Sequence, residues 1–216
     1  MEDTGRHVNW HTIEAALEDF RSVRRRTIEM MTPLSQGQLD WPPSERKWSA
    51  GEVLDHLVLV EATHQANIGE LIELQRNGER TVLKRTFSDI NTAPPLIPKQ
   101  ILPMFDVPFT LFTMMMPRKI HSMLMQYQII PFQAADSITP VKGKAASELK
   151  HALESSIRRT ASILESNSDL DFTLLVLKHP ALGANNVGQL LGVMANHERR
   201  HQTQIEDILR RFQKKS

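Results

Sequence analysis

The 216-residue sequence predicts an all-α protein, a four-helix bundle with one long insertion between its second and third helices. Three observations carry this prediction. Four stretches of roughly 20 residues repeat apolar side chains at three- and four-residue steps, the period of an amphipathic helix. No pair of alternating apolar and polar runs marks strands. Composition sets the middle of the chain apart, since residues 81–144 hold 8 of the 12 prolines, 6 of the 10 methionines and only 3 acidic residues. A single domain over 1–216, with 81–144 as a crossover insertion between helix ends, accounts for all three.

The first helix is expected from about Asn9 to Thr32, with Ile13, Leu17, Phe20, Val23 or Arg24, and Ile28 on its apolar stripe and Pro33 at its end. A polar connection containing Trp41-Pro42-Pro43 follows. Ser49 and Glu52 have the Ser-x-x-Glu spacing of a capping box and open the second helix. Val53, Leu57, Val60, Ile68 and Leu71 keep its period, and Asn77-Gly78 stops it. The third helix spans about Ala146 to Ser166, on the stripe Leu149, Leu153, Ile157, Ala161 and Leu164. The loop His179-Pro180-Ala181-Leu182-Gly183 leads to Asn186, a suitable N-cap with Gln189 three residues on. The fourth helix carries Leu190, Met194, His197, His201, Ile205 and Ile208 along one face. Within the insertion, short helices are expected at 109–116 and after Pro117, a good first-turn proline. The apolar segment 101–125 is expected to cover the open end of the bundle as a lid or to contact a second subunit.

Several function classes are excluded at once. Absence of cysteine rules out disulfides, cysteine zinc sites, iron–sulfur clusters and a cysteine nucleophile. A net charge of +1 supplies no overall field for nucleic acid. No run of about 20 apolar residues is free of charge and proline, so no membrane span is expected. The acidic, polar start is unlike a signal peptide, so the expected compartment is the cytoplasm. Arg24-Arg25-Arg26 and the basic C-terminal residues read as solvated charge or helix-dipole partners.

The chemistry is expected among the nine histidines. His7, His11 and His151 read as surface residues, and His121 and His179 have no partner at metal-ligand spacing. His197 and His201 lie four residues apart and project from one face on successive turns, where they can grip one metal ion. Both stand on the stripe that should face the core, so they are either a metal pair or two hydrogen-bonded core histidines. His197-Glu198-Arg199-Arg200-His201 matches a zinc-protease motif literally. Only 15 residues follow, with no third ligand at the expected spacing, and Glu198 reads instead as solvated or salt-bridged. A third ligand should come from a facing helix, and His56, on the inward side of helix two, is the candidate. His64 is rotated about 80° from His56 by its eight-residue separation, which places it beside the site at most. Glu52, one turn before His56, either orients that imidazole or completes the cap.

These residues resemble the DinB-like family of bacterial metal-dependent enzymes. The resemblance rests on Lys47-Trp48-Ser49-Ala50-Gly51-Glu52-Val53-Leu54-Asp55-His56-Leu57, on His179-Pro180-Ala181-Leu182-Gly183, and on His197-x-x-x-His201 followed by Gln204-Ile205. It implies an up-down-down-up four-helix bundle whose crossover would be residues 81–144. It also implies a divalent metal, nickel or zinc, on His56, His197 and His201. Characterised relatives include S-transferases that use low-molecular-weight thiols and a maleylpyruvate isomerase, and many members are homodimers. The implied function is a metal-dependent enzyme on a small-molecule substrate, a thiol-dependent S-transferase or a hydrolase. A thiol would have to come from a cosubstrate. The alternative is a non-catalytic bundle that uses the metal for stability or sensing.

Overall fold

The computed structural model describes residues 3–45, 47–86, 89, 138–180 and 182–215, with side chains from residue 10 onward. The expected segments at 101–125 and 109–116, and His7 and His121, lie outside the residues so described. The described chain is mostly helical. In order its elements are α1 (Asp3–Met31), α2 (Gln36–Asp40), α3 (Ala50–Arg76), β1 (Val82–Lys84), α4 (Ala146–Glu165), β2 (Val176–His179), β3 (Gly183–Asn186) and α5 (Val187–Lys215). The four long helices end close to where their stop signals predict. α1 starts earlier than expected, because its polar first turns carry no apolar stripe.

Two features depart from the expected all-α, four-helix layout: a fifth helix and a small sheet. α2 is a five-residue helix with its own capping box, Ser35 to Gln38. The strands form a three-stranded sheet in the order β1-β2-β3, with β1 parallel to β2 and β2 antiparallel to β3. Strands of three and four residues are too short to display alternation in a sequence.

Contacts divide the chain into two compact units. The first contains Met1–Ile13, Ala66–Thr139 and Asn167–Leu190. Here His179 and Gly183 are paired in the β2–β3 hairpin, and the predicted loop between them is its turn. His179 Nδ1 accepts from the Leu182 amide at 3.2 Å, and Gly183 takes the positive φ of 73° that favours glycine. Thr81 Oγ1 donates to the Leu174 carbonyl at 2.9 Å, next to the start of β1. Arg76 clamps Asp169 with two bonds of 2.6 and 2.7 Å. Asn186 and Gln189 exchange bonds of 3.0 Å in the predicted cap of α5.

The second unit contains Glu14–Gln65, Pro140–Ser166 and Leu191–Ser216. Its core gathers Met31, Leu39, Val53, Leu57, Leu149, Leu153, Ile205 and Ile208. Leu39 of α2 packs so closely on α3 that a Cβ at Gly51 would meet its carbonyl oxygen at 3.1 Å. α2 also caps α4, whose N-cap Ala145 has no side chain to do so. Gln36 Oε1 accepts from the Ala146 amide at 3.2 Å, and Gln36 Nε2 donates to the Lys144 carbonyl at 3.0 Å. Asp55, buried on α3, accepts from the Val141 amide at 2.8 Å and Lys144 Nζ at 2.9 Å. The approach to α4 is thereby tied to the turn of α3 that also carries His56.

Candidate metal centre

The placement of His56 begins at the start of α3. Ser49 Oγ accepts from the Glu52 amide at 3.2 Å, and Glu52 Oε2 accepts from the Ser49 amide at 2.9 Å. The capping box is therefore made, and it decides between the two roles expected of Glu52. Trp48, immediately before the cap, lays its ring against His56 with centroids 4.8 Å apart. The turn that fixes the helix start thus also fixes one face of the imidazole.

His197 and His201 meet His56 from α5. Ring centroids are 5.4 Å apart for His56–His197, 5.1 Å for His56–His201 and 4.4 Å for His197–His201. One ring nitrogen from each histidine lies within 4.8 Å of the other two. Nε2 of His201 is 3.1 Å from Nε2 of His197. On its other side, His201 Nδ1 is 2.8 Å from Gln204 Oε1. That amide oxygen can only accept, so the ring carries its proton on Nδ1 and presents an Nε2 lone pair to the cluster.

The electrostatics favour neutral rings at His197 and His201. Burial, then the neighbouring His56 and Arg200, push His201 down to about 3, against the opposing Gln204 hydrogen bond. Burial also holds His197 well below the ordinary histidine value, helped by His201, His56, Arg200 and His64. His56 and His201 are buried and His197 is half-buried. Neutral imidazole is the form that ligates a metal. The donor set fits a divalent ion, because tetrahedral ligands at about 2.0–2.1 Å lie roughly 3.3 Å from one another.

Glu198, the acid of the literal protease motif, turns away into a different cluster. Arg24 Nε donates to both its oxygens at 2.9 and 3.1 Å, and Nη2 donates to Oε2 at 2.8 Å. Arg24 Nη1 donates to the Leu153 carbonyl at 2.8 Å, and Nη2 forms an ion pair with Glu61 Oε2 at 2.9 Å. Thr27 and Thr160 hydroxyls complete the carboxylates, each at 2.5 Å. Arg24 and Glu198 are each 1% exposed. The expectation that Arg24-Arg25-Arg26 is solvated is thus corrected at its first member. The signal was present in the sequence, since Arg24 competes with Val23 for the apolar stripe and Glu61 lies one turn beyond Leu57.

The structure brings together the three expected histidines and keeps others apart. His11 and His151 are exposed, and His179 belongs to the hairpin of the first unit. His64 is buried on α3 and lies outside the trio. Trp48 and Gln204, quoted in the sequence only as motif letters, turn out to touch His56 and His201.

A mostly helical chain with three imidazoles turned onto one point has the build of a metal-binding protein. The chain belongs to the DinB superfamily, whose family profile matches residues 19–205. No curated protein and no solved structure matches it. Among the described residues, no helix is long and apolar enough to cross a membrane.

Proposed function

We propose that this chain is a metal-dependent enzyme acting on a small molecule, with one divalent ion, nickel or zinc, held by His56, His197 and His201. The observation that supports it is the convergence of three ring nitrogens within 4.8 Å. Its fold is read as the family's four-helix bundle, a single domain with residues 81–144 as the crossover. When bound, a divalent ion with three neutral ligands supplies Lewis acidity that ionises water or a thiol near neutral pH. The chain's own groups prepare that chemistry. Gln204 holds the proton of His201 on Nδ1, which turns the Nε2 lone pair towards His197 and the cluster, where it can ligate. Trp48 shields one face of His56.

Thiol transfer is favoured over hydrolysis by the fate of Glu198. This acid is committed to Arg24 and Thr27 and is unavailable as a general base. Among the described residues, no carboxylate joins the cluster. A thiol ionises more readily than water even before it meets the ion, so it depends less on such a base. The chain has no cysteine, so the sulfur belongs to a low-molecular-weight cosubstrate. The thiol gives up its proton to solvent, its sulfur forms a bond to an electrophilic carbon, and the leaving group departs with the electron pair of the bond that breaks.

Metal content and turnover test this reading together. Nickel- or zinc-loaded protein should hold one ion per chain and consume a low-molecular-weight thiol in the presence of an electrophilic acceptor. His197→Ala and His201→Ala should each lose the ion, and His151→Ala should keep it. Equal loss from all three variants would show nonspecific binding.

A further inference from the structure

The three candidate ligands lie on α3 and α5, yet both helices are gripped close to those ligands by one turn of α1, residues 23–27. On α5 the anchors are Glu198 and Gln202, each the residue that follows a ligand, His197 or His201. Arg24 Nη2 donates to Glu198 Oε2 at 2.8 Å, and Thr27 Oγ1 donates to Glu198 Oε1 at 2.5 Å. Gln202 Nε2 donates to the Val23 carbonyl at 2.9 Å and to Thr27 Oγ1 at 3.0 Å. Anchors and ligands therefore share the same turns of α5, about 100° apart around its axis. On α3 the anchor is Glu61, five residues and about 7.5 Å beyond His56. Its Oε2 forms an ion pair with the same Arg24 Nη2 at 2.9 Å. One guanidinium nitrogen thus meets a carboxylate from each ligand-bearing helix.

We propose that Arg24, with Thr27, is a positioning residue of the three-histidine centre. It sets the rotation of α5, and the register of α5 against α3, so that His56, His197 and His201 meet one ion. This inference rests on the metal-site reading given above. Stability alone does not account for the arrangement, because an apolar layer of similar volume holds helices together as well or better. What a buried ion cluster adds is a single register, since the rigid guanidinium fork matches two carboxylates in few arrangements. Ligand geometry requires such control, because a site tolerates errors of only about 0.5 Å or 10–20°. A roll of α5 that unseats Glu198 and Gln202 swings both of its imidazoles through the same angle.

Cobalt, whose visible spectrum reports the geometry of its ligands, provides the test. The variant is the triple change Arg24→Met, Glu61→Leu and Glu198→Leu, which removes the cluster and keeps most of the stability. It should bind cobalt about tenfold more weakly than wild type and with an altered spectrum, although no histidine is replaced. The triple change also removes two negative charges and one positive, so weaker binding with a wild-type spectrum is a charge effect and overturns positioning. Leu164→Ala, a cavity in the buried face of α4, is the control for lost stability and should bind as wild type does. Equal weakening in this control overturns the proposal. Gln202→Leu replaces one half-buried neutral side chain with another and decides the question if the triple variant does not fold. Its affinity should fall about fivefold, the worth of one hydrogen bond, with the same spectral change in smaller measure. Wild-type affinity and spectrum in the folded triple variant, or in Gln202→Leu in its place, overturn the role of Arg24 and Thr27 alone. Absence of stoichiometric cobalt in the wild type removes the metal reading, and this inference with it. A second measurement needs no metal. In crystals of the metal-free triple variant the three ring nitrogens should spread beyond the 4.8 Å of the wild type. Rings that keep the wild-type spacing overturn the proposal.

Discussion

The layer around Arg24 and the cluster around His56, His197 and His201 are both buried polar assemblies in the second compact unit, and both draw side chains from α3 and α5. They are completed in opposite ways. The arginine layer supplies its own counter-charges, with two carboxylates on one guanidinium, a threonine hydroxyl on each carboxylate and a backbone carbonyl on the remaining edge, although Glu61 Oε2 meets Arg24 as an ion pair without a hydrogen bond. The histidine cluster sets two Nε2 atoms 3.1 Å apart, and among the described residues no carboxylate joins it. A structural polar core satisfies itself, because an unpaired buried charge costs several kcal/mol. A binding site leaves ring nitrogens to a ligand. Adjacent residues of one helix serve the two purposes, since Glu198 enters the first assembly and His197 the second.

The largest effect that should separate the two comes from Arg24. Replacing it alone strands Glu61 and Glu198 in the interior, so Arg24→Met should cost about 3–5 kcal/mol in denaturant unfolding. Combining Arg24→Met with Glu61→Leu and Glu198→Leu should recover most of that loss, because apolar groups of similar size need no partners. The histidine cluster should respond differently, with His197→Leu costing little stability and all of the metal.

The next effect is in pH. The His64 pKa is lowered from 6.5 to about 4 by burial, so the unfolded chain holds more protons between those values. The contribution of this group is therefore fully present above pH 6.5 and is lost as pH falls towards 4, to a total of about 3 kcal/mol. Unfolding of metal-free wild type and His64→Leu across pH 4–7 should show this as a difference in slope of up to one proton. Parallel curves would mean that His64 is not buried neutral.

Smaller effects sharpen the boundary between ligand and support. Gln204→Leu removes the acceptor that orients His201 and should weaken metal binding by about 10–100-fold with little change in stability. Ser49→Ala breaks the cap before His56 and should cost about 1 kcal/mol of stability. Its effect on metal affinity should be slight, since Trp48 and the rest of α3 remain.

How much of this was legible in the sequence follows from the range of each interaction. The four long helices and the caps at Ser49 and Asn186 are local, written in periods and three-residue spacings, and the structure keeps them. The histidine trio was legible because a polar residue on an apolar stripe stands out, and His56, His197 and His201 do so on two helices. The sheet was not, because β1 pairs with β2 across more than 90 residues and neither strand is long enough to alternate. The Arg24 layer was missed for a related reason. Three adjacent arginines look solvated until Glu61 and Glu198 are seen on the facing helices, and neither is near Arg24 in the chain.

The central claim is that α3 and α5 form one unfinished site, which a metal completes. X-ray absorption at the metal edge of the nickel- or zinc-loaded protein tests it most directly. For zinc, three imidazole nitrogens are expected at about 2.0–2.1 Å, and for either metal one fewer imidazole around any ion retained by His56→Ala. A first shell without imidazole scattering, or one unchanged by His56→Ala, would contradict it.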